Sequence, residues 1–277
     1  MPDGDPNVVV RPRAIVTSAD GGRVHVAPAI SPDGRQIMFV SERDRLSLDL
    51  FMADASSGVV LRKVISTAAD PHFDSLQYIQ SAGAWDATGR RFVVAAVIDG
   101  VPSLTIVDMS GTSPRRDIRL RELGEIYNPS WSPDGKQIVF SAMKGGLSDL
   151  FVYTLADGSL VQLTDDEFAD LHPAWSPDGK TIAFASDRFT TSLDDLRFGA
   201  VRVVLLDVAT TIVRPLTAAA DGGKQISPQW SPDGKAIYYV ADADGVSNIY
   251  RVELASGDIR RVTSESDGVS GITATSP

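Results

Sequence analysis

The sequence has no cysteine and only three histidines among its 277 residues. Without cysteine the chain forms no disulfide and holds no metal ion through thiolate ligands. It also lacks His-Glu-x-x-His and Gly-x-Ser-x-Gly segments, the signatures of many zinc peptidases and serine hydrolases. Because no catalytic signature is present, the sequence predicts a protein that is not an enzyme.

Basic charge and long apolar runs are scarce as well. The chain has 26 Lys and Arg against 36 Asp and Glu, a net charge of −10. Such a surface repels phosphate backbones, which argues against nucleic acid as a partner. No apolar run approaches the roughly 18 residues of a membrane helix, so no membrane insertion is expected. Residues 1–7 have neither a cationic start nor an apolar stretch, and we predict a disordered tail there, not a signal peptide.

What the sequence does contain is a repeated hexapeptide, Trp-x-x-x-Gly-Lys/Arg. Its four copies, at residues 85–90, 131–136, 175–180 and 230–235, hold all four tryptophans. A fifth copy at residues 30–35 keeps Ser-Pro-Asp-Gly and has Ile at the tryptophan position. Copies that recur roughly every 50 residues indicate one small structural unit repeated along the chain.

Each copy carries the chemistry of a β-hairpin. Ser, Pro and Gly suit the first, second and fourth positions of a type I turn, and a Gly with positive φ closes a three-residue hairpin loop. Short runs rich in β-branched and aromatic residues flank these turns and predict four strands per copy. Four-stranded sheets packed face to face in a circle protect their edges, which predicts an all-β propeller with five recognisable blades.

The predicted blades lie within a single domain at residues 8–277. They cover about residues 24–66, 79–121, 126–164, 171–217 and 226–263. The residues predicted to form the turns and to pack as plates between neighbouring sheets are Gly34, Gly89, Gly135, Gly179 and Gly234, and Trp85, Trp131, Trp175 and Trp230.

The two ends of the chain resemble parts of a further blade. Residues 13–17 look like a fourth strand with no sheet before it, and residues 274–277 align with residues 174–177, where a sixth copy is due. We therefore assign residues 8–17 and 269–277 to an incomplete further blade. This predicts a segment of a six-bladed or larger propeller, and a five-bladed ring is the alternative.

Two insertions, at residues 69–83 and 189–199, lengthen the repeat. In an up-and-down sheet the loop between strands 2 and 3 leaves from the same end as the connection to the next blade. Both insertions therefore decorate one face, and loops on rigid scaffolds usually carry recognition. The candidate residues of this binding face, where all three histidines are predicted to precede first strands, are His25, His72, Phe73, Asp74, Asp170, His172, Phe189, Asp194 and Asp195. Ordinary solvated loop histidines are the alternative to a His/Asp cluster that binds a metal or a partner.

One loop offers oxygen ligands at a spacing that Ca²⁺ could use. Its candidate metal ligands are Asp242, Asp244 and Asn248. Asp-Gly in such a loop is also an ordinary hairpin turn. No other cofactor is indicated.

The repeat resembles a known family. The pattern His/Asn/Gln-Pro-x-Trp-Ser-Pro-Asp-Gly-Lys-x-Ile-x-Phe-x-Ser, followed by Leu-Phe-x-Tyr and Gln-Leu-Thr, is similar to the WD40-like (PD40) β-propeller repeat of TolB-type proteins. It stands here at residues 172–186, 150–153 and 162–164. The resemblance extends over about residues 13–277. The second copy departs from the pattern, with Ala87 in place of proline.

This resemblance implies several functions. TolB-like propellers are periplasmic and bind protein partners in the cell-envelope Tol system, which implies a non-enzymatic platform for a protein or peptide. Similar repeats also form non-catalytic propellers of bacterial peptidases, so an accessory or gating propeller is the alternative. A metal-dependent propeller hydrolase is a third. Without a signal peptide in the sequence, a cytoplasmic location is the alternative to the periplasm.

Overall fold

The computed structural model describes residues 13–17, 19, 21–43, 47–67, 70, 72–77, 81–111, 115–216 and 223–274. In this part of the chain, 21 strands form five antiparallel sheets that follow one another in chain order. The predicted all-β propeller with five four-stranded blades is confirmed. The described residues include no helix that is long and apolar enough to cross a membrane. The predicted tail at residues 1–7 lies outside the described part.

Neighbouring strands of each blade pair in sequence order. Blade 1 consists of β1 (His25–Ile30), β2 (Gln36–Ser41), β3 (Asp49–Asp54) and β4 (Val60–Ile65). Blade 2 consists of β5 (Ser75–Gln77), β6 (Ala84–Trp85), β7 (Arg91–Ile98), β8 (Val101–Asp108) and β9 (Arg116–Arg119). Blade 3 consists of β10 (Ile126–Trp131), β11 (Gln137–Lys144), β12 (Leu147–Thr154) and β13 (Leu160–Gln162). Blade 4 consists of β14 (Asp170–Trp175), β15 (Thr181–Ser186), β16 (Arg202–Asp207) and β17 (Val213–Pro215). Blade 5 consists of β18 (Gln225–Trp230), β19 (Ala236–Ala241), β20 (Asn248–Glu253) and β21 (Ile259–Arg261).

The Ser-Pro-Asp-Gly turns join the first two strands of their blades. In blade 4 the Gly179 N–H donates to the Ser176 carbonyl at 2.9 Å, and the Ser176 hydroxyl donates to Asp178 at 2.6 Å. The turn glycines of the five blades have φ between 66° and 70°, in the left-handed region that glycine enters without a Cβ penalty. Backbone and side-chain bonds thus fix the same turn in each copy.

The tryptophans lie between neighbouring first strands. Three indole N–H groups donate to a carbonyl of the preceding blade: Trp85 to Ala29 at 3.0 Å, Trp131 to Ala84 at 3.2 Å and Trp230 to Ala174 at 3.0 Å. The Trp175 nitrogen has no partner among the described residues. Each of the three bonded indoles therefore ties one blade to the one before it.

The first strands are interrupted by a bulge. In blades 1, 3, 4 and 5 the register shifts at a residue with φ between 48° and 55°, which a proline follows: Ala27, Asn128, His172 and Ser227. In blade 2 the interruption is longer, because β5 and β6 both pair with β7. The insertion predicted at residues 69–83 thus contains the start of the first strand, and blade 2 begins earlier than the predicted residue 79.

The hydrophobic core lies between the blades. One cluster joins blades 2 and 3 around Phe140 and Trp131, and another joins blades 3 and 4 around Phe184 and Trp175. Blades 2, 3 and 4 each bury one face of the sheet against the preceding blade and the other against the next blade. Their strands are therefore nearly continuous apolar runs.

Residues from both ends of the described chain contact blade 1. The Thr273 hydroxyl accepts the Ile30 N–H at 3.1 Å, and the Arg13 guanidinium donates to the Ala55 carbonyl at 3.1 Å. Residues 13–17 form no strand, contrary to the prediction, because none of the described strands pairs with them. The assignment of both ends to a further blade stays a prediction, and residues 8–12 and 275–277 lie outside the described part.

Candidate functional site

A cavity of about 390 Å³ lies between the first strands of the five blades, at the end that carries the Ser-Pro-Asp-Gly turns. Residues 272–274 complete its wall. The described residues that line it include no Asp, Glu, Lys or Arg, and its polar groups come from serines, Thr273, Asn128, His172 and Gln229. The cavity therefore suits an uncharged, partly apolar group. The sequence assigned this end a purely structural role and did not predict a cavity there.

His172 faces this cavity, at the end opposite to its predicted position. It is the third residue of β14 and has a φ of 55°. Burial lowers the pKa of its imidazole to about 4, and its Nδ1 accepts the Ser227 N–H at 3.4 Å. The prediction that it precedes a first strand on the elaborated face is wrong, because the bulge places it inside the strand beside Pro173.

The neutral state of His172 predicts a pH-dependent loss of stability. The folded-state pKa of about 4 lies below the ordinary histidine value of 6.5, so the unfolded chain binds the proton more tightly. The contribution to the free energy of unfolding is present above pH 6.5 and falls by up to about 3 kcal/mol as the pH drops to about 4. His172→Asn removes the titrating group and keeps the residue that blade 3 uses at this position, Asn128. Urea unfolding at several pH values should give a shallower acid loss for the variant, and equal slopes would contradict the prediction.

His25 and His72 lie at the other end, where the blades are connected, and each has a partner. The Nδ1 of His25 is 2.9 Å from the Ser41 hydroxyl, and the Nε2 of His72 is 2.7 Å from a carboxylate oxygen of Asp117. The other oxygen of Asp117 accepts the Thr105 hydroxyl at 2.7 Å. These contacts fasten the histidines to their own blades, 1 and 2, and do not bring them together.

Three other predicted face residues hold loops or are buried. Phe73 is 4% exposed, and the Arg115 guanidinium lies 4.9 Å from its ring centre. Asp74 accepts the Gly100 N–H at 2.7 Å. Asp170 is fully buried between blades 3 and 4. Phe73 and Asp170 therefore offer no surface to a partner, contrary to the prediction, because the packing of the neighbouring elements covers them.

The insertion between β15 and β16, residues 187–201, is held by its own hydrogen bonds. The N–H groups of Thr190 and Thr191 donate to the Asp187 carbonyl at 3.0 and 2.9 Å. Ser192 and Arg197 exchange two backbone hydrogen bonds at 2.9 and 3.0 Å. The Gly199 N–H donates to the Thr191 hydroxyl at 2.9 Å. The insertion is thus a defined loop on the face opposite to the cavity.

This insertion exposes large apolar side chains. Phe189 is 50% exposed, Leu193 42%, Leu196 78% and Phe198 87%. The predicted residues Asp194 and Asp195 lie between them and are also exposed. A contiguous apolar group on a soluble surface typically marks a docking site. Of these four residues only Phe189 was predicted from the sequence, although four large apolar residues within one insertion are a recognisable signal.

The residues predicted to bind Ca²⁺ each have another role. The Asn248 carbonyl oxygen accepts the Thr263 hydroxyl at 2.9 Å and the Glu265 N–H at 2.8 Å. Asp244 pairs with Arg261 at 2.5 Å, and Asp242 accepts the Lys224 N–H at 2.6 Å. A calcium site there stays a prediction to which these contacts add no support.

Comparison with known proteins connects this geometry to a family. Residues 113–193 match the model of the TolB β-propeller domain, PD40. A solved structure of a TolB homologue from Agrobacterium tumefaciens superposes with a TM-score of 0.68 at 20% identity, covering 86% of this chain and 80% of that one. The chain is a β-propeller that is similar in fold to TolB propellers.

Relatives of this TolB-like propeller include both a Tol–Pal protein and a peptidase. The Tol-Pal system protein TolB of Bordetella pertussis is 27% identical over 229 residues, which cover 82% of this chain and 48% of that protein. Dipeptidyl-peptidase 5 of Porphyromonas gingivalis is 27% identical over 245 residues, which cover 84% of this chain and 33% of that enzyme. The chain thus spans about half the length of its TolB relative and a third of the peptidase.

Proposed function

We propose that this TolB-like propeller is a non-enzymatic platform that binds a protein or peptide through the insertion at residues 187–201. The observation that carries the proposal is the exposure of Phe189, Leu193, Leu196 and Phe198 on one loop. A few residues near the centre of an interface supply most of its binding energy, and aromatic side chains such as phenylalanine are enriched there. The four residues therefore provide anchors that a partner would cover.

The hydrogen bonds within the insertion favour binding. A loop already held by Asp187, Thr191 and the Ser192–Arg197 pair loses less conformational freedom when a partner docks than an unrestrained loop does. Asp194 and Asp195 add negative charge beside the apolar residues, and the whole chain carries a net charge of −10. These charges favour a partner with an apolar patch flanked by basic groups.

The comparisons support a binding role in general terms. The Bordetella pertussis relative is named for the Tol–Pal system. By this likeness we propose a periplasmic location and a protein partner for the propeller. The described residues that line the cavity include no carboxylate beside His172.

The experiment is a quantitative pull-down from cell-envelope extract with the purified chain as bait. The double variant Phe189→Ser, Phe198→Ser removes two aromatic anchors at 50% and 87% exposure. Proteins that bind through the insertion should be recovered at least about tenfold less with this variant. The matched control, Val161→Ser with Ile259→Ser, removes apolar side chains that are 51% and 41% exposed on outer strands. It should leave recovery unchanged.

Recovery that is equal for the wild type and the insertion variant, at equal thermal stability, would contradict the assignment of the binding face. Loss of the same proteins with the outer-strand control would indicate non-specific adhesion.

A second candidate, an accessory propeller of a peptidase, rests on the likeness to dipeptidyl-peptidase 5 over 84% of the chain. In that case the insertion or the cavity would face a catalytic domain. The same pull-down separates the two candidates. A peptidase catalytic domain among the insertion-dependent proteins would favour the accessory role, and an envelope protein without peptidase sequence would favour the platform.

A further inference from the structure

Three aspartates and one arginine meet where blades 3 and 4 pack together. Asp149 in β12 and Asp170 in β14 are buried, and Asp166 lies in the connection between the blades. One carboxylate oxygen of each lies within 4.8 Å of those of the other two. The Arg188 guanidinium bonds Asp166 at 2.9 Å and Asp170 at 2.6 Å. Three carboxylates therefore share one cation, and two negative charges remain uncompensated.

Blade 1 shows how the same position is neutralised elsewhere in the protein. Asp49 is the first residue of β3 in blade 1, and its position corresponds to that of Asp149 in β12 of blade 3. The Lys63 ammonium lies 2.8 Å from the Asp49 carboxylate. Lys63 in β4 and Gln162 in β13 occupy equivalent positions in their blades. Lys63 pairs with Phe51 of β3, and Gln162 pairs with Phe151 of β12. The Gln162 amide donates to Asp149 at 3.0 Å but brings no charge. Blade 3 thus has an uncharged amide where blade 1 has a cation, and Lys144 bonds the oxygen of that amide at 2.8 Å without bonding Asp149.

One buried oxygen in this cluster has no donor. Oδ2 of Asp170 accepts the Arg188 guanidinium, whereas Oδ1 makes no hydrogen bond with any part of the chain that the structure describes. The residue itself is 0% exposed. A buried carboxylate oxygen without a partner is costly and points to a ligand that supplies the missing interaction.

We propose that one Ca²⁺ ion binds between blades 3 and 4 through the carboxylates of Asp149, Asp166 and Asp170. Oxygens that bind one Ca²⁺ at about 2.4 Å lie at most about 4.8 Å apart, whereas the shorter Mg²⁺ bonds limit this separation to about 4.2 Å. The three carboxylate oxygens lie within 4.8 Å of one another, so one Ca²⁺ ion can contact all three. A divalent ion also matches the two uncompensated charges.

Further oxygens and an entry route are present. The Thr164 hydroxyl lies 3.5 Å from Oδ1 of Asp149 and is close enough to join the ligands. The Asp166 side chain is 27% exposed, so water reaches the cluster from the face that carries the insertion and can complete the coordination shell.

The ion would relieve an electrostatic cost in the folded protein. Burial, followed by the charge of Asp170, raises the pKa of Asp149 to about 6, and burial raises the pKa of Asp170 despite Arg188 and nearby hydroxyls. In blade 1, bonds from Lys63 and Thr67 outweigh burial and hold the pKa of Asp49 below its usual value. A cation bound to the folded chain alone raises its stability by mass action.

The test measures thermal unfolding of the whole chain at pH 7.5 and constant ionic strength, in EDTA, 1 mM CaCl₂ or 1 mM MgCl₂. Calcium should raise the Tm by about 5 °C, with a smaller effect of magnesium, if its dissociation constant is about 10 µM. Isothermal titration with CaCl₂ should give one ion per chain.

Two variants assign the effect to this cluster. Asp149→Asn removes a ligand and a repelling charge, and Gln162→Lys introduces the cation that blade 1 carries. Each should raise the Tm in EDTA and abolish the response to calcium. Asp242→Asn, in the loop that the sequence favoured for calcium, is the matched control and should keep the full response.

Absence of both calcium binding and a Tm shift in the wild type would overturn the proposal. So would a response that persists in both Asp149→Asn and Gln162→Lys, or one that is lost in Asp242→Asn. If mild acid stabilised the protein and calcium had no effect, the carboxylates would be neutralised by a shared proton and not by a calcium ion.

Discussion

Replacing Phe140 by alanine is expected to lower the free energy of unfolding by about 3–5 kcal/mol. Phe140 is 0% exposed and lies in the core between blades 2 and 3. Its ring stacks on Phe151 at a centroid distance of 6.1 Å. Truncation removes the apolar contacts and leaves a cavity between two sheets that are held in place by their neighbours. Chemical denaturation followed by tryptophan fluorescence measures the loss.

The chain provides a control of the same chemistry. Phe198→Ala deletes the same atoms from a side chain that is 87% exposed, and we expect a change within about 0.5 kcal/mol. Similar losses at the two positions would mean that burial between the blades does not determine stability here.

Gly83→Ala is expected to destabilise the protein by about 3–5 kcal/mol, because the position combines backbone strain with a backbone clash. Gly83 has a φ of 132°, which side chains of L-residues rarely allow. A Cβ there would overlap the Val93 carbonyl oxygen and lie 2.9 Å from the Phe92 ring. Neither the paired strand β7 nor the buried ring can move away easily.

Gly100→Ala measures the cost of backbone strain at a position where an added Cβ meets no other atom. Gly100 has a φ of 70°, and a Cβ there would meet no atom within 4 Å. Its substitution carries only the left-handed backbone penalty of about 1 kcal/mol. Thermal unfolding of both variants tests the difference, and an equal loss would show that the close approach at Gly83 is absent or readily relieved.

The fold could be predicted from sequence because its determinants are local. Ser176, Pro177 and Gly179 satisfy a turn within four residues, and the copies of this turn set the start of the second strand in every blade. The binding face was harder to predict. Its location follows from strand connectivity, but the exposure of Leu196 and the burial of Phe73 depend on which neighbours cover them.

The position of His172 shows why local patterns mislead. The His-Pro pair resembles the residues before a strand, yet the register shift between Leu171 and Ala174 keeps both inside β14. Its low pKa comes from burial, and its Nδ1 contact comes from Ser227, 55 residues away. Neither is visible in the neighbouring sequence.

The sequence by itself determined the repeat, the hairpin turns and therefore the propeller, since each depends on residues within a few positions of one another. Only the tertiary structure decided that Asp149, Asp166 and Asp170 share Arg188, that the insertion exposes its apolar side chains, and that the cavity lies at the turn-bearing end. Charge compensation and exposure are properties of surfaces that meet between blades. They follow from which residues the packing of neighbouring blades brings together, and a repeat pattern does not specify that.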